Sequence, residues 1–360
     1  MLSGDGYVVR VRPRLAHLGA GQVLGLCEAA ERHGAGLIDV TNRANIQIRG
    51  VSETAWLALM EDLGALNLLD ADVETETRRN ILVAPTWQER DDTEWLALEL
   101  TARLAELPQL PPKMGFAIDA GDAPVLQDTP ADFRIERGVS GGLILRAEGH
   151  ALGLPLAQVQ EIDQLIRLAW WFVASGGAEA GRMARHRAPL PDWATGTEAP
   201  APAGAPLRPG PHAMGAVLGL AFGQVRAADL ARAIEDSGAQ AMRVTPWRAL
   251  LLLGAEPGPR AGLVWDADAP MLRADACPGA PFCPQATVET RALARALAPH
   301  VAGSLHVSGC AKGCARATPA DLCVIGRDGR YDIAHNATAG DRPAQTGLSA
   351  QHVLTTIGAA

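Results

Sequence analysis

The sequence predicts an α+β protein made by internal duplication, and three observations carry the prediction. Short strand-like runs alternate with amphipathic helical stretches, which suits layered sheets and helices rather than a helical bundle. A shift of 204 residues lays Gly19–Gly50 on Gly223–Gly254 without a gap, with nine of the 32 positions identical. A second echo follows each copy, where Thr129-Pro130-Ala131-Asp132 matches Thr318-Pro319-Ala320-Asp321. The same two units occur in the same order twice.

Taken in order, the first copy reads as a strand over Tyr7–Val11, a helix over Gln22–His33 and a strand over Leu37–Ile48. Val23, Leu26 and Ala30 form the apolar stripe of the helix. Gly34-Ala35 turns the chain into the strand and Gly50 closes it; Gly238-Ala239 and Gly254 repeat the pattern. Glu161–Ala174 predicts a further helix that packs through Ile162, Leu165, Ile166, Ala169 and Trp170. The stretch Pro189–Pro211 has no core-forming periodicity and is rich in Pro, Ala and Gly, so an exposed, semi-extended linker is expected over 186–211. The expected units are 1–72 and 73–185 before the linker, and 212–268 and 269–360 after it.

A chain of 360 residues exceeds what one core supports. The net charge of −8 argues against a nucleic-acid partner while leaving room for local basic pockets. Ala213–Phe222 and Leu168–Ser175 are shorter than the roughly 18 apolar residues of a membrane span. The start, Met1 to Gly6, lacks the charged-then-apolar order of a secretory signal, so a cytoplasmic protein is expected. There the six cysteines stay reduced, and five of them crowd the last quarter of the chain. Among 32 basic residues only Lys113 and Lys312 are lysine. Each is either a place for a compact point charge or a chance survivor.

Cys277-Pro-Gly-Ala-Pro-Phe-Cys283 is followed after 26 residues by Cys310-Ala-Lys-Gly-Cys314. Four thiolates suit a [4Fe–4S] cluster, one sulfur per iron, and Gly279, Gly309 and Gly313 allow close approach of the backbone. A Cys₄ zinc site fits the three-residue gap but not the five-residue one. The segment Thr287–Ala298 between the pairs reads as helical. Cys323, in Leu322-Cys-Val-Ile325, and Cys27, on its helix, read as small core residues.

Alternation over Asp39–Arg49 puts Asp39, Thr41, Arg43, Asn45, Gln47 and Arg49 on one face of a strand and Ile38, Val40, Ala44, Ile46 and Ile48 on the other. The polar row suits carboxylate binding, since Arg grips carboxylates bidentately. Periodicity alone favours a solvated sheet face over a binding one.

The two cysteine pairs, with Thr41-Asn-Arg43-Ala-Asn45-Ile-Gln47, resemble the sirohaem sulfite and nitrite reductases over nearly the whole chain. The resemblance implies two ferredoxin-like halves, each followed by an α/β unit, the second of which binds the cluster. It implies that Arg43, Arg79 and Lys113 match residues that bind tetrapyrrole carboxylates, with Asn45, Gln47, Arg49 and Lys312 beside them.

His306-Val-Ser-Gly-Cys310-Ala-Lys312-Gly-Cys314 and Arg243-Val-Thr-Pro-Trp-Arg248 are similar to the branch whose substrate is a metal-free precorrin of aerobic cobalamin synthesis. Gly115 stands where the reductases carry a second lysine, which weakens a site for sulfite or nitrite. This branch implies an O₂-dependent, monooxygenase-type oxidoreductase supplied by an external electron donor or reductase, because no Gly-rich dinucleotide fingerprint is present. The sequence leaves room for a mononuclear non-haem iron, to which His300, His306 or His335 would contribute. Two alternatives stand beside it: a sirohaem-dependent sulfite or nitrite reductase, and a ferredoxin-like electron-transfer subunit without catalysis.

Overall fold

The computed structural model describes residues 2–70 and 72–359, and among them the strands gather into four five-stranded sheets. Met1, Ala71 and Ala360 of the expected units lie outside the described residues. The first sheet runs Leu2–Ser3, Gly6–Val11, Ile46–Val51, Leu37–Val40 and then Gln224–Arg226, a strand lent by the second half. The matching sheet runs Gly210–His212, Gly215–Gly219, Ala249–Leu253, Ala241–Val244 and then His17–Gly19, lent by the first half.

Each half therefore completes the other's sheet. The two helices, Ala20–His33 and Ala227–Ser237, pack on each other, and one core joins Leu18, Leu26, Ile38 and Ile48 to Leu218, Leu230, Met242 and Leu252. Leu18 lies on the lent strand and is fully buried. Leu18→Ala is expected to cost about 2–5 kcal/mol. Because that core is shared, fluorescence and circular dichroism should follow one earlier transition in denaturant. Separate transitions for the two halves would show that the exchange does not couple them.

The α/β units repeat as well. Ile81–Val83, Phe116–Asp119 and Phe133–Arg137 run parallel, and Leu143–Ala147 and Leu154–Pro155 return antiparallel. Ala274–Ala276, Leu305–Ser308, Ala320–Arg327, Arg330–Ala337 and Gln345–Leu348 have the same order and sense. Asp132 accepts the N–H of Gly115 at 3.0 Å, and Asp321 accepts that of Ser304 at 2.7 Å, so the Thr-Pro-Ala-Asp echo marks one structural device used twice.

Four readings are corrected. The expected strand Leu37–Ile48 is a hairpin, Leu37–Val40 and Ile46–Val51, because Thr41 caps a tight turn and Ala44 takes φ 52°. The helices of the two copies differ by three residues, 14 against 11, so Gly19 matches Arg226 at the N-cap and the gapless match holds only from mid-helix onward. The stretch 186–211 is tethered rather than free: Gly138 and Gly153 bridge to Pro200 and Glu198, and Ala194 and Ala201 are buried. Finally, the Thr287–Ala298 segment is helical only over Arg291–Leu297, since the N–H of Thr287 is drawn to the Gly309 carbonyl at 3.1 Å. No described helix is long and apolar enough to cross a membrane.

Candidate functional site

The 41–45 turn pairs Ile38 with Ile48 and Asp39 with Gln47, so side chains opposite each other share a face. The hairpin therefore keeps the polar row that a single strand was expected to give. Thr41 Oγ1 accepts the N–H groups of Arg43 at 3.3 Å and Asn45 at 3.2 Å, which fixes the turn. Arg10 joins the same row opposite Gln47, and Gln224 of the second half joins it opposite Asp39.

Not every cation on this face is available. Arg49 is buried and forks onto Asp5 at 2.9 and 3.0 Å, with Asp39 at 3.1 Å and Ser3 on its remaining donors. Arg79 is buried too, held by Asp70 at 2.9 Å and the Arg12 carbonyl at 2.8 Å. Asn45 is buried in the turn, closing it through its backbone. These three brace the site: the donors of Arg49 and Arg79 are engaged within the protein, although Arg49 still lines the cavity beside Cys277.

The cysteine loops meet at Gly309, whose N–H donates to Cys277 Sγ at 3.2 Å. An added Cβ on Gly309 would come within 2.6 Å of Ala286, and Gly279 and Gly313 take φ of 71° and 63°, so glycine is required where the two loops close. Burial pushes the Cys314 thiol up; Lys312 pulls it down, while Cys310, Cys277 and Cys283 each push it up. The other three cysteines thus lie near enough to Cys314 to act on it. Among the described residues no three His, Cys, Asp or Glu side chains gather closely enough to hold a single ion. A four-iron cluster sets each thiolate on a different iron and so spaces the sulfurs more widely. The donor set, four cysteines on two loops that meet at Gly309, fits such a cluster.

Cys27 and Cys323 are fully buried, and burial raises their thiols to about 12 and about 11, beyond useful reactivity. His306 is buried with Nδ1 3.7 Å from Cys323 Sγ, whereas His300 and His335 are exposed and stand apart from it.

A cavity of about 500 Å³ joins these parts, with Asp39, Thr41 and Gln47 on one side and Arg248, Cys277 and Cys314 on the other. Arg248 is held there by Asp275 at 3.0 Å. The duplication makes the cavity informative, because the side chains that match Asp39 and Gln47 in the other copy are packed away. In the second copy Arg243 and Leu251 stand where Asp39 and Gln47 stand, and Ala84 and Val125 take the places of Cys277 and Cys314. Leu251 is fully buried, and Arg243 stacks on Trp87 and donates to the Pro85 carbonyl at 2.8 Å. Arg243 and Leu251 are thus taken up by packing, whereas Asp39 and Gln47 line a cavity.

Gln47 also lines a neighbouring cavity of about 510 Å³ that contains Arg10, Arg12 and Trp56. Several arginines gather at this edge. Burial and then Arg182 lower the Arg43 pKa; Asp132 opposes them, and Arg10 and Arg12 lower it further. Arg12 pairs with Glu76, and Arg182 with Asp132 at 2.8 Å. Arg43 donates to the Lys113 carbonyl at 2.7 Å, and neither it, Arg10 nor Lys113 makes an ion pair among the described residues. Lys312 is exposed on the other cysteine loop. Sequence reasoning missed Arg10, Arg12 and Arg182; the alternation Arg10-Val11-Arg12 was the available signal for the first two.

Residues 1–66 match the nitrite/sulfite reductase ferredoxin-like half domain. Over its length the chain superposes on the Mycobacterium tuberculosis NirA protein with a TM-score of 0.62 at 16% identity, covering 96% of this chain and 78% of that one. A precorrin-3B synthase from Sinorhizobium sp is 33% identical over 95% of this chain and 82% of its own. An oxidoreductase of the duplicated nitrite/sulfite reductase-like fold, this chain belongs to the precorrin-3B synthase family.

Proposed function

We propose that this protein converts precorrin-3A to precorrin-3B in aerobic cobalamin synthesis, as a monooxygenase-type enzyme with a [4Fe–4S] cluster on Cys277, Cys283, Cys310 and Cys314. The reaction hydroxylates C-20 and closes the ring-A acetate as a lactone. One oxygen atom of O₂ enters the product and the other leaves as water, with two electrons and two protons from an external donor. When bound, the cluster supplies single-electron transfer.

The observation that carries this reading is the cavity of about 500 Å³ in which the polar face meets Cys277 and Cys314. The chain's own residues supply the rest of the arrangement. Arg43, Lys113 and Arg10 present unpaired positive charge to a polycarboxylate rim. Gln47, between the two cavities, offers both a donor and an acceptor to the macrocycle. Arg49 and Arg79, fixed by buried acids, hold the face rigid beneath it.

Two measurements test the proposal together. Anaerobically purified protein should contain about four irons and four sulfides per chain and should convert precorrin-3A to the lactone with O₂ and a reductant. Cys323→Ser should leave the iron content unchanged. Haem-like visible bands with sulfite or nitrite turnover would move the assignment to a sirohaem reductase. A cluster without tetrapyrrole binding would move it to an electron carrier.

A further inference from the structure

Arg291 opens the helix Arg291–Leu297, and its side chain is only 16% exposed. It forms part of the wall between two cavities: the one of about 500 Å³ shared with Cys277 and Cys314, and one of about 230 Å³ lined by Arg49, Phe282 and Arg295. Its nearest carboxylate is Asp39 at 3.9 Å, beyond hydrogen-bonding distance. Asp39 is already engaged by Arg49 at 3.1 Å and by Gln224 at 2.7 Å. The Nε of Arg291 is enclosed and has no partner. A buried guanidinium with unmet donors is costly unless an anion completes it.

Arg291 shares the larger cavity with Cys277, and the charges acting on it agree with that placement. Burial lowers its pKa most; Asp39 raises it, Arg49 lowers it, and the Cys277 thiolate raises it again. Arg49 and Arg295 act against its charge, while Cys277 acts with Asp39 in its favour, and Arg291 and Cys277 line the same cavity. A four-iron cluster on four thiolates is a net anion and gains one more negative charge when it takes up an electron. That added charge is what an unmet cation on the Cys277 side favours.

Resting on the reading that the four cysteines hold a cluster, we propose that Arg291 is the cluster's counter-cation, donating to it from the cavity side. In that place it holds the reduced, more negative cluster against oxidation. It also faces the cavity, so a carboxylate bound there competes for the same guanidinium. Substrate binding then lowers the cluster's potential, and electrons leave the cluster more readily once a polycarboxylate is in place. No proton and no bond to iron is involved, since the group stays charged throughout.

The test uses the full chain with its cluster, as wild type, Arg291→Lys and Arg291→Gln. Iron and sulfide are measured first, then the midpoint potential by redox titration followed by electron paramagnetic resonance. Titrations are run with and without uroporphyrin as a stable polycarboxylate tetrapyrrole probe. Arg291→Gln with a full cluster is expected to have a more negative midpoint than wild type, and Arg291→Lys a value between them. Uroporphyrin should shift the wild-type midpoint downward and leave that of Arg291→Gln in place. A fully loaded Gln variant with the wild-type midpoint overturns the proposal. If Arg291→Gln holds no iron, Arg291→Lys decides, and a wild-type midpoint there overturns it equally. Wild-type protein without iron and sulfide would instead refute the cluster reading itself.

Discussion

Cys310→Ser is expected to give a folded protein with iron near zero and no detectable turnover of precorrin-3A. A serine hydroxyl is far less acidic than a thiol and is a harder donor, so it is a poor substitute on an iron that prefers sulfur. The fold should survive the change. Cys310 is half-buried at the end of the strand Leu305–Ser308, whose residues are fully buried, and its carbonyl accepts the Ser308 hydroxyl at 2.7 Å. Neither that bond nor the link from Thr287 to Gly309 uses the sulfur. Cys277→Ser should do more damage, because Cys277 Sγ also accepts the Gly309 N–H that joins the two loops. The comparison that checks the ligand assignment is iron per chain in the four serine variants against Cys323→Ser. Near-normal iron in Cys310→Ser would take that residue out of the ligand set. A Cys323→Ser protein without iron would put a core cysteine into it.

That the two cysteine loops meet was legible because their spacing and their glycines are local features of the sequence, and Gly309 does close onto Cys277. The polar face was legible for a less obvious reason. Strand parity predicted it, and the structure breaks that strand into a hairpin; yet an odd number of turn residues, Thr41 to Asn45, restores the parity on the return. What the sequence did not show is which arginines are already engaged. Arg49 finds Asp5 across 44 positions, and the Arg12 carbonyl that holds Arg79 lies 67 positions away. Contacts at such range leave no local pattern. The strand exchange was hidden in the same way, since His17–Gly19 and Gln224–Arg226 are three-residue segments whose partners lie in the other half. Arg291 escaped notice because a charged residue on a short amphipathic helix ordinarily marks its solvent face, and here that position turns toward Asp39 and Cys277.

Arg43→Ala is expected to weaken precorrin-3A binding by roughly ten- to a hundredfold, since a charge-assisted hydrogen bond contributes about 1.5–3 kcal/mol. Of the arginines that the family resemblance pointed to, Arg43 is the one that the geometry leaves half-exposed without a carboxylate partner, directed to the basic edge by its bond to the Lys113 carbonyl. Arg182, Arg10 and Arg12 all press positive charge on it, so an incoming carboxylate relieves a repulsion as well as gaining a bond. Arg43→Lys should recover only part of the loss, because an ammonium keeps the charge without the planar fork. Stability should change little, as the turn is held by Thr41 and by backbone bonds rather than by this side chain. Cluster absorbance should not change, because Arg43 supplies no sulfur ligand. Higher salt should weaken wild-type binding more than that of Arg43→Ala, since screening removes from the wild type a charge that the variant already lacks. Titrating precorrin-3A under argon into wild type, Arg43→Ala and Arg43→Lys checks all of this. Equal dissociation constants for the three would place the carboxylate rim away from Arg43, on the Arg248 and Lys312 side of the cavity.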